Sequence, residues 1–118
     1  MKKIFAVSMI IVLMFTLLSC ADNVVKGSVV RESTYGNAEL DIMPQKMLEK
    51  INVGETVIVK IGDFEEEMPF VDELIAEDGK IQLFFDREDW NLNICIYNER
   101  FFEKYGIEIA DKVEIRKK

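Results

Sequence analysis

The chain carries one phrase twice. "LDIMPQKMLEKINVGETVIVKI", from Leu40, and "ICIYNERFFEKYGIEIADKVEI", from Ile94, run in parallel when Ile42 is set against Ile96. Pro44 to Lys50 then faces Asn98 to Lys104, and Val53 to Val57 faces Ile109 to Val113 after a two-residue insertion. A segment written twice in a chain of 118 residues constrains the fold more than its composition does. Each copy must form the same local structure, and neither can bury its apolar face alone.

Local chemistry reads as strand, short helix, strand in both copies. In "AELDIM" Leu40 and Ile42 alternate with Glu39 and Asp41, and in "LNICIY" Leu92, Ile94 and Ile96 share one face. Pro44 suits the first turn of a helix, where its missing N–H costs nothing, and Asn98 is the expected cap of the second helix. Met47-Leu48 and Phe101-Phe102 are expected to plug the ends of a core. Gly54-Glu55 and Ala110-Asp111 then turn the chain into "TVIVKI" and "KVEI", which alternate again.

Elsewhere, "KGSVVRES" supplies a strand before the first copy. Gly62-Asp63 predicts a tight hairpin into a strand that reaches Val71, with Pro69 requiring an edge or a bulge. Asp78-Gly79 marks a turn before "KIQLFF". The count is about seven short strands and two short helices, with no strand followed by a helix long enough for a parallel crossover. The expected fold is all-β: a small pseudo-twofold barrel, similar to cradle-loop barrels, in which two related halves hide most strand edges. Its interior residues should be Leu40, Ile42, Val57, Val59, Ile61, Leu92, Ile94, Ile96, Val113 and Ile115.

The N-terminus sets an address. Lys2 and Lys3 precede an uncharged run from Ile4 to Leu18, then Ser19 and Cys20. That run falls short of the roughly 20 apolar residues that span a bilayer as a helix, and the pattern is that of a signal peptide. Leu17-Leu18-Ser19-Cys20 resembles the lipobox of bacterial lipoproteins, in which the cysteine thiol accepts a diacylglyceryl group and becomes the first mature residue. The expected organisation is a cleaved signal peptide over residues 1–19, a lipidated Cys20 with a short spacer over 20–25, and one barrel domain over 26–118. The protein would then be exported and held to the extracytoplasmic side of the cell membrane, since two or more acyl chains anchor durably.

Without the two leader lysines, 13 basic residues stand against 22 acidic ones, a formal charge of −9. That balance argues against nucleic acid and against anionic headgroups as partners. With Cys20 lipidated, Cys95 is the only thiol left, so no intrachain disulfide can form; between Ile94 and Ile96 it reads as a small strand residue. The chain has no histidine, which removes the commonest general base and metal ligand.

"GSVVRESTYGNAELDI" resembles the opening of the C-terminal β-barrel domain of S-adenosylmethionine hydroxide adenosyltransferases, relatives of the S-adenosylmethionine-dependent chlorinases and fluorinases. Gly27, Val29, Tyr35, Gly36, Asn37 and Ile42 fall into the family's pattern G-x-V-x-x-D-x-F-G-N-x-x-x-N-I. "LNICIYNERFFEKYGIEIADKVEI" is similar to its closing motif, so the likeness spans nearly the entire mature chain. In that family the barrel completes a site whose other wall is the N-terminal domain of a neighbouring subunit. The resemblance implies that Glu32 stands where an Asp meets the ligand's ammonium, Tyr35 where an aromatic meets it, and Asn37 where a polar group approaches it. Tyr97 and Glu99 depart from the family's Asn and Gly, and the catalytic N-terminal domain is missing. A turn built from Tyr35-Gly36-Asn37 explains the same residues without a ligand.

Other chemistry is thin. The acidic clusters Glu65-Glu66-Glu67, Asp72-Glu73, Glu77-Asp78 and Asp86 with Glu88 and Asp89 lack the spacing of a calcium loop and read as solvated faces. Trp90, a large aromatic in a polar loop, is either a contact residue or lid packing. With no phosphate loop, nucleophile elbow or Cys/His metal pattern, no cofactor or catalytic residue is expected. Three readings follow: a noncatalytic barrel that takes a protein partner or a small nucleoside-like ligand, an accessory subunit of a separate adenosyltransferase, or a purely structural lipoprotein.

Overall fold

The computed structural model describes residues 24–118. The expected leader and Cys20 lie outside the described residues. Seven strands and two short helices follow in order: β1 (Val24–Glu32), β2 (Ala38–Leu40), α1 (Pro44–Leu48), β3 (Thr56–Ile61), β4 (Phe64–Val71), β5 (Ile81–Asp86), β6 (Asn91–Ile96), α2 (Phe101–Tyr105) and β7 (Lys112–Lys117). The strands close into a barrel in the order β1-β2-β6-β5-β4-β3-β7. Every seam is antiparallel except β4–β5, which is parallel.

The duplicated phrase accounts for this closure. β2 and β6, the first strands of the two copies, pair with each other, Leu40 against Leu92 and Ala38 against Ile94. β3 and β7, the last strands, also pair, with Val59 against Ile115. Antiparallel pairing of equivalent strands is what a pseudo-twofold axis requires. All ten residues expected to face the interior are buried, together with Val29, Met68, Phe70, Leu83 and Phe85. At about 25 cal/mol per Å² of apolar surface, this inner layer is the main source of stability.

The first helix starts where expected, and the second starts two residues later than an Asn98 cap would place it. α1 begins at Pro44 after an extended Met43. α2 begins after Arg100, and Asn98 lies two residues upstream in a left-handed conformation, its Nδ2 donating to Asp78 Oδ1 at 2.5 Å. Asn98 is therefore a turn residue and not a cap: a cap is extended and adjoins the first helical residue, whereas Asn98 is left-handed and lies two positions before Arg100, the residue at the cap. Met47, Phe101 and Phe102 are buried, whereas Leu48 is half-buried against the core. β1 starts at Val24, and Val25 is buried in register with Ile115, so the barrel reaches two residues further forward than the expected spacer leaves room for.

Pro69 lies where a missing donor does no harm. Phe70 N–H donates to Glu55 O at 2.9 Å on the β3 side, so the Pro69 nitrogen turns the other way. There β4 pairs with β5 only at Phe70 and Val71. The unpaired edge before them carries exposed Glu65, Glu66 and Glu67, a row of charge that discourages edge-to-edge association. At its start Phe64 packs edge-on to Phe101 and Tyr105 of α2, with centroids 5.2 and 4.7 Å apart.

Candidate functional site

β6 is buried on both faces. Leu92, Ile94 and Ile96 point into the barrel, yet the outward-facing Asn93 and Cys95 are buried as well. A strand with one face in water would alternate, so something must lie over the outside of the barrel here. The cover is the segment 72–80, which links β4 to β5. It is fastened by Gln82, which is fully buried: Ile75 N–H donates to Gln82 Oε1 at 2.8 Å, and Gln82 Nε2 donates back to Ile75 O at 3.2 Å. Leu74 hangs from this roof.

The facing wall is the turn at residues 33–37. Ser33 N–H donates to Asn37 O, Asn37 N–H to Ser33 Oγ and Gly36 N–H to Ser33 O, at 2.9 to 3.0 Å. The turn is then clamped to the start of α2. Phe102 N–H donates to Gly36 O at 2.9 Å, and Arg100 donates to Thr34 O at 2.9 Å and to Glu32 Oε2 at 3.0 Å. Gly36 has φ 79°, and a Cβ there would stand 2.7 Å from Arg100 Cβ, so position 36 requires glycine twice over.

Roof, wall and β6 floor enclose two clefts that share Thr34, Tyr35, Asn37 and Leu74. One, of about 530 Å³, runs over Cys95 and is bounded by Tyr97, Glu99 and Arg100. The other, of about 460 Å³, runs over Asn93 and is bounded by Arg31, Phe84, Asp86 and Asp89. Both fall in the size range of small-molecule sites.

The structure brings Tyr35 and Asn37 together on this turn and Glu32 beside them at the end of β1, where it borders the second cleft, with different occupations. Glu32 is taken up by Arg100. Tyr35 stands at the rim, 78% exposed. Asn37 anchors the turn through its backbone and borders both clefts. Glu99 borders the first cleft with its carboxylate drawn to Lys104 Nζ, at 2.8 Å. Burial pushes the Cys95 thiol up to about 12, so it stays protonated at neutral pH and makes a poor nucleophile. Trp90 is a packing residue: its ring meets Phe85 edge-on at 5.1 Å and its Nε1 donates to Gln45 of α1 at 3.2 Å.

Arg100, Leu74, Gln82 and Asn93 complete the site and escape sequence reasoning. One signal for Asn93 was present. Under the alignment of the two copies, Glu39 and Asp41 stand opposite Asn93 and Cys95, so charged outward positions in one copy become uncharged in the other. Among the described residues no group of three or more His, Cys, Asp or Glu side chains is arranged to hold a metal.

A closed seven-stranded barrel with a roofed lateral cleft is thus the class that geometry defines. No protein-family model and no curated protein sequence matches the chain. Solved structures do. An uncharacterized conserved protein from Thermotoga maritima aligns over 76% of this chain and 35% of its own length, at 19% identity and a TM-score of 0.68. A conserved hypothetical protein from Thermus thermophilus aligns over 79% of this chain and 34% of its own, at 17% identity and a TM-score of 0.55. The chain therefore spans about a third of the length of these solved proteins, and the likeness is one of fold.

Proposed function

We propose that the protein is an exported lipoprotein, anchored through Cys20, whose barrel is a noncatalytic ligand-binding or interaction module related to the C-terminal domain of S-adenosylmethionine hydroxide adenosyltransferases. The observation that carries this reading is the turn at residues 33–37, whose Tyr35 and Asn37 wall a cleft of about 530 Å³ and, with Glu32 at the end of β1, an adjoining one of about 460 Å³, instead of merely joining two strands. The occurrence of a like barrel as about a third of longer solved chains supports kinship with one domain of larger proteins. The anchor rests on the leader and on Leu17-Leu18-Ser19-Cys20.

The exposure of Tyr35 favours a second reading, in which a separate protein supplies the missing wall. A half-built site leaves most of a ligand in water and forfeits the burial on which tight binding depends. Catalysis needs groups aimed at charge developing in the transition state; Glu99 and Arg100 on this cleft are instead paired with Lys104 and with Glu32 and Glu103, which supports the noncatalytic reading.

Titration calorimetry of the full chain in nonionic detergent with S-adenosylmethionine and adenosine tests the binding. Weak saturable binding, lost in Asn37→Ala, is expected without turnover. Absence of binding leaves a structural lipoprotein, and measurable turnover defeats the noncatalytic reading. Labelled fatty acid should enter the wild type and not Cys20→Ala.

A further inference from the structure

The two ends of the barrel carry different elements. With antiparallel seams throughout save β4–β5, the starts of β1, β3 and β6 share one end with the finishes of β2, β4, β5 and β7. α1, which joins β2 to β3, and Trp90, in the loop that joins β5 to β6, lie at that end. The turn at residues 33–37, the Gly62-Asp63 hairpin and α2 lie at the other. β1 therefore starts at the α1 end and finishes beside the turn that walls both clefts.

With Cys20 as the anchor, chain length decides which end meets the membrane. Cys20 precedes Val24 by four residues, and a chain of that length reaches about 14 Å at full extension. β1, nine residues from Val24 to Glu32, spans about 26 Å at about 3.3 Å per residue, and about 20 Å along the barrel axis when tilted by about 40°. A barrel with the turn at 33–37 on the bilayer would hold Val24 about 20 Å above it, beyond the tether's reach. The exposed side chains agree with the opposite placement. Met43, just before α1, is 55% exposed, and Trp90 keeps 45% of its surface exposed although it packs on Phe85 and Gln45. A half-exposed tryptophan, with an apolar body and a polar N–H, suits the boundary between lipid and water. Tyr105 and Ile109 are exposed at the far end, so apolarity alone does not choose between the ends; the tether does. Lys46 and Lys50 stand beside Glu49 on the near end, so contact requires no anionic lipid.

We infer that the lipid surface is the partner of the α1 end: the barrel stands with Met43 and Trp90 at the headgroups, and Tyr35 with the cleft over Cys95 is held away in water. What fills that cleft then arrives from the aqueous side and not from the lipid beneath. The inference rests on the anchor proposed above and goes beyond it in fixing which end of the barrel the anchor draws to the membrane.

Trp90 is the chain's only tryptophan, so its emission reports a single place. The protein is extracted from membranes in nonionic detergent and reconstituted into phosphatidylcholine vesicles, with and without a nitroxide quencher on the lipid headgroups. Trp90 should lose most of its emission to the nitroxide. When Trp90→Phe is combined with Tyr35→Trp, the emission from position 35 should be kept. Mass spectrometry of the mature N-terminus reports acylation independently of the quenching. An acylated wild type whose Trp90 emits equally in both kinds of vesicle would overturn the inference and leave the anchor standing, and the wild type decides this point alone should the double variant fold poorly. Equal quenching at positions 90 and 35 would overturn it as well, since the barrel would then lie on its side. A mature protein without acyl chains would sink the anchor and the inference together.

Discussion

One long strand in one half of the barrel does what two strands do in the other. β1 pairs through Val24–Ser28 with β7, bulges between Val29 and Arg31, and pairs onward with β2, Val29 lying opposite Leu40. In the other half β4 pairs with β3 and β5 pairs with β6, Leu83 lying opposite Ile94. Equivalent turns clasp the two systems in the same way. Ala110 N–H donates to Val29 O and Val29 N–H to Asp111 O; Gly54 N–H donates to Phe70 O and Phe70 N–H to Glu55 O. Val29 thus holds two positions that Phe70 and Leu83 divide between them, and those two residues are themselves paired across the β4–β5 seam.

This split creates the site. Where β1 merely bulges, the other half inserts residues 72–80, and that insertion becomes the roof over β6. The equivalent outer face of β2 has no such roof and keeps Glu39 and Asp41, Asp41 taking the Ser28 N–H at 2.6 Å. The hairpin loops repeat the contrast. Residues 33–37 dock on the start of α2 and leave Tyr35 standing free, whereas Trp90 docks on Gln45 of α1 and folds down on Phe85, 45% exposed. Symmetry builds the barrel, and the departure from symmetry builds the clefts.

The two helical plugs test the shared part of this comparison and should give the largest effects. Phe101→Ala should cost roughly 3–5 kcal/mol and Met47→Ala roughly 2–5, read from denaturant midpoints, because both side chains are fully buried. Leu48→Ala, half-buried, should cost clearly less than either. A Met47→Ala protein as stable as the wild type would show that α1 does not close its end of the core.

Transplanting the outward residue of the open face to the roofed one tests the difference. Cys95→Asp should destabilise by roughly 3 kcal/mol at neutral pH, since a charge would be buried without a partner. The native thiol has its own pH signature. With its pKa raised from 9.0 to about 12, its stabilising contribution is full below pH 9 and declines as pH climbs toward 12; Cys95→Ala should lose that part of the alkaline slope.

Gln82→Ala loosens the roof alone. It should cost about 1–3 kcal/mol by stranding Ile75 N–H and C=O, and should speed proteolysis within residues 72–80 while sparing the strands. Cleavage at the wild-type rate would mean that the roof is held by other contacts.

What was legible in the sequence follows the same division. The duplicated phrase, the alternation in β3, β6 and β7, Pro44 at a helix start and the Gly62-Asp63 hairpin are local signals, and each lands where expected. Tyr35-Gly36-Asn37 was legible as a turn. The roof was not, because its fastening depends on Gln82 meeting Ile75 through a loop without periodicity. Arg100 likewise owes its place to Thr34 and Glu32, 66 and 68 residues away. Asn98 misled because a residue suited to capping is equally suited to a left-handed turn.

The smallest expected effect isolates backbone conformation within the two equivalent turns. Gly54 has φ 98° and Ala110, aligned with it, has φ 76°. Both are in left-handed space, where a Cβ costs roughly 1–2 kcal/mol, and the second copy bears that cost with an alanine. Nothing lies within 4 Å of a Cβ built at Gly54, so packing does not confuse the comparison. Ala110→Gly should therefore raise stability by about 0.5–1 kcal/mol, the relief being partly offset by the greater freedom of glycine in the unfolded chain. Gly54→Ala should lower it by about 1–2 kcal/mol, the larger figure reflecting a φ further from the left-handed minimum. Measured together in denaturant titrations, the two substitutions should have opposite signs. An Ala110→Gly protein less stable than the wild type would mean that the second turn does not share the conformation of the first, and the pseudo-twofold description of the clasps would fail at its most local point.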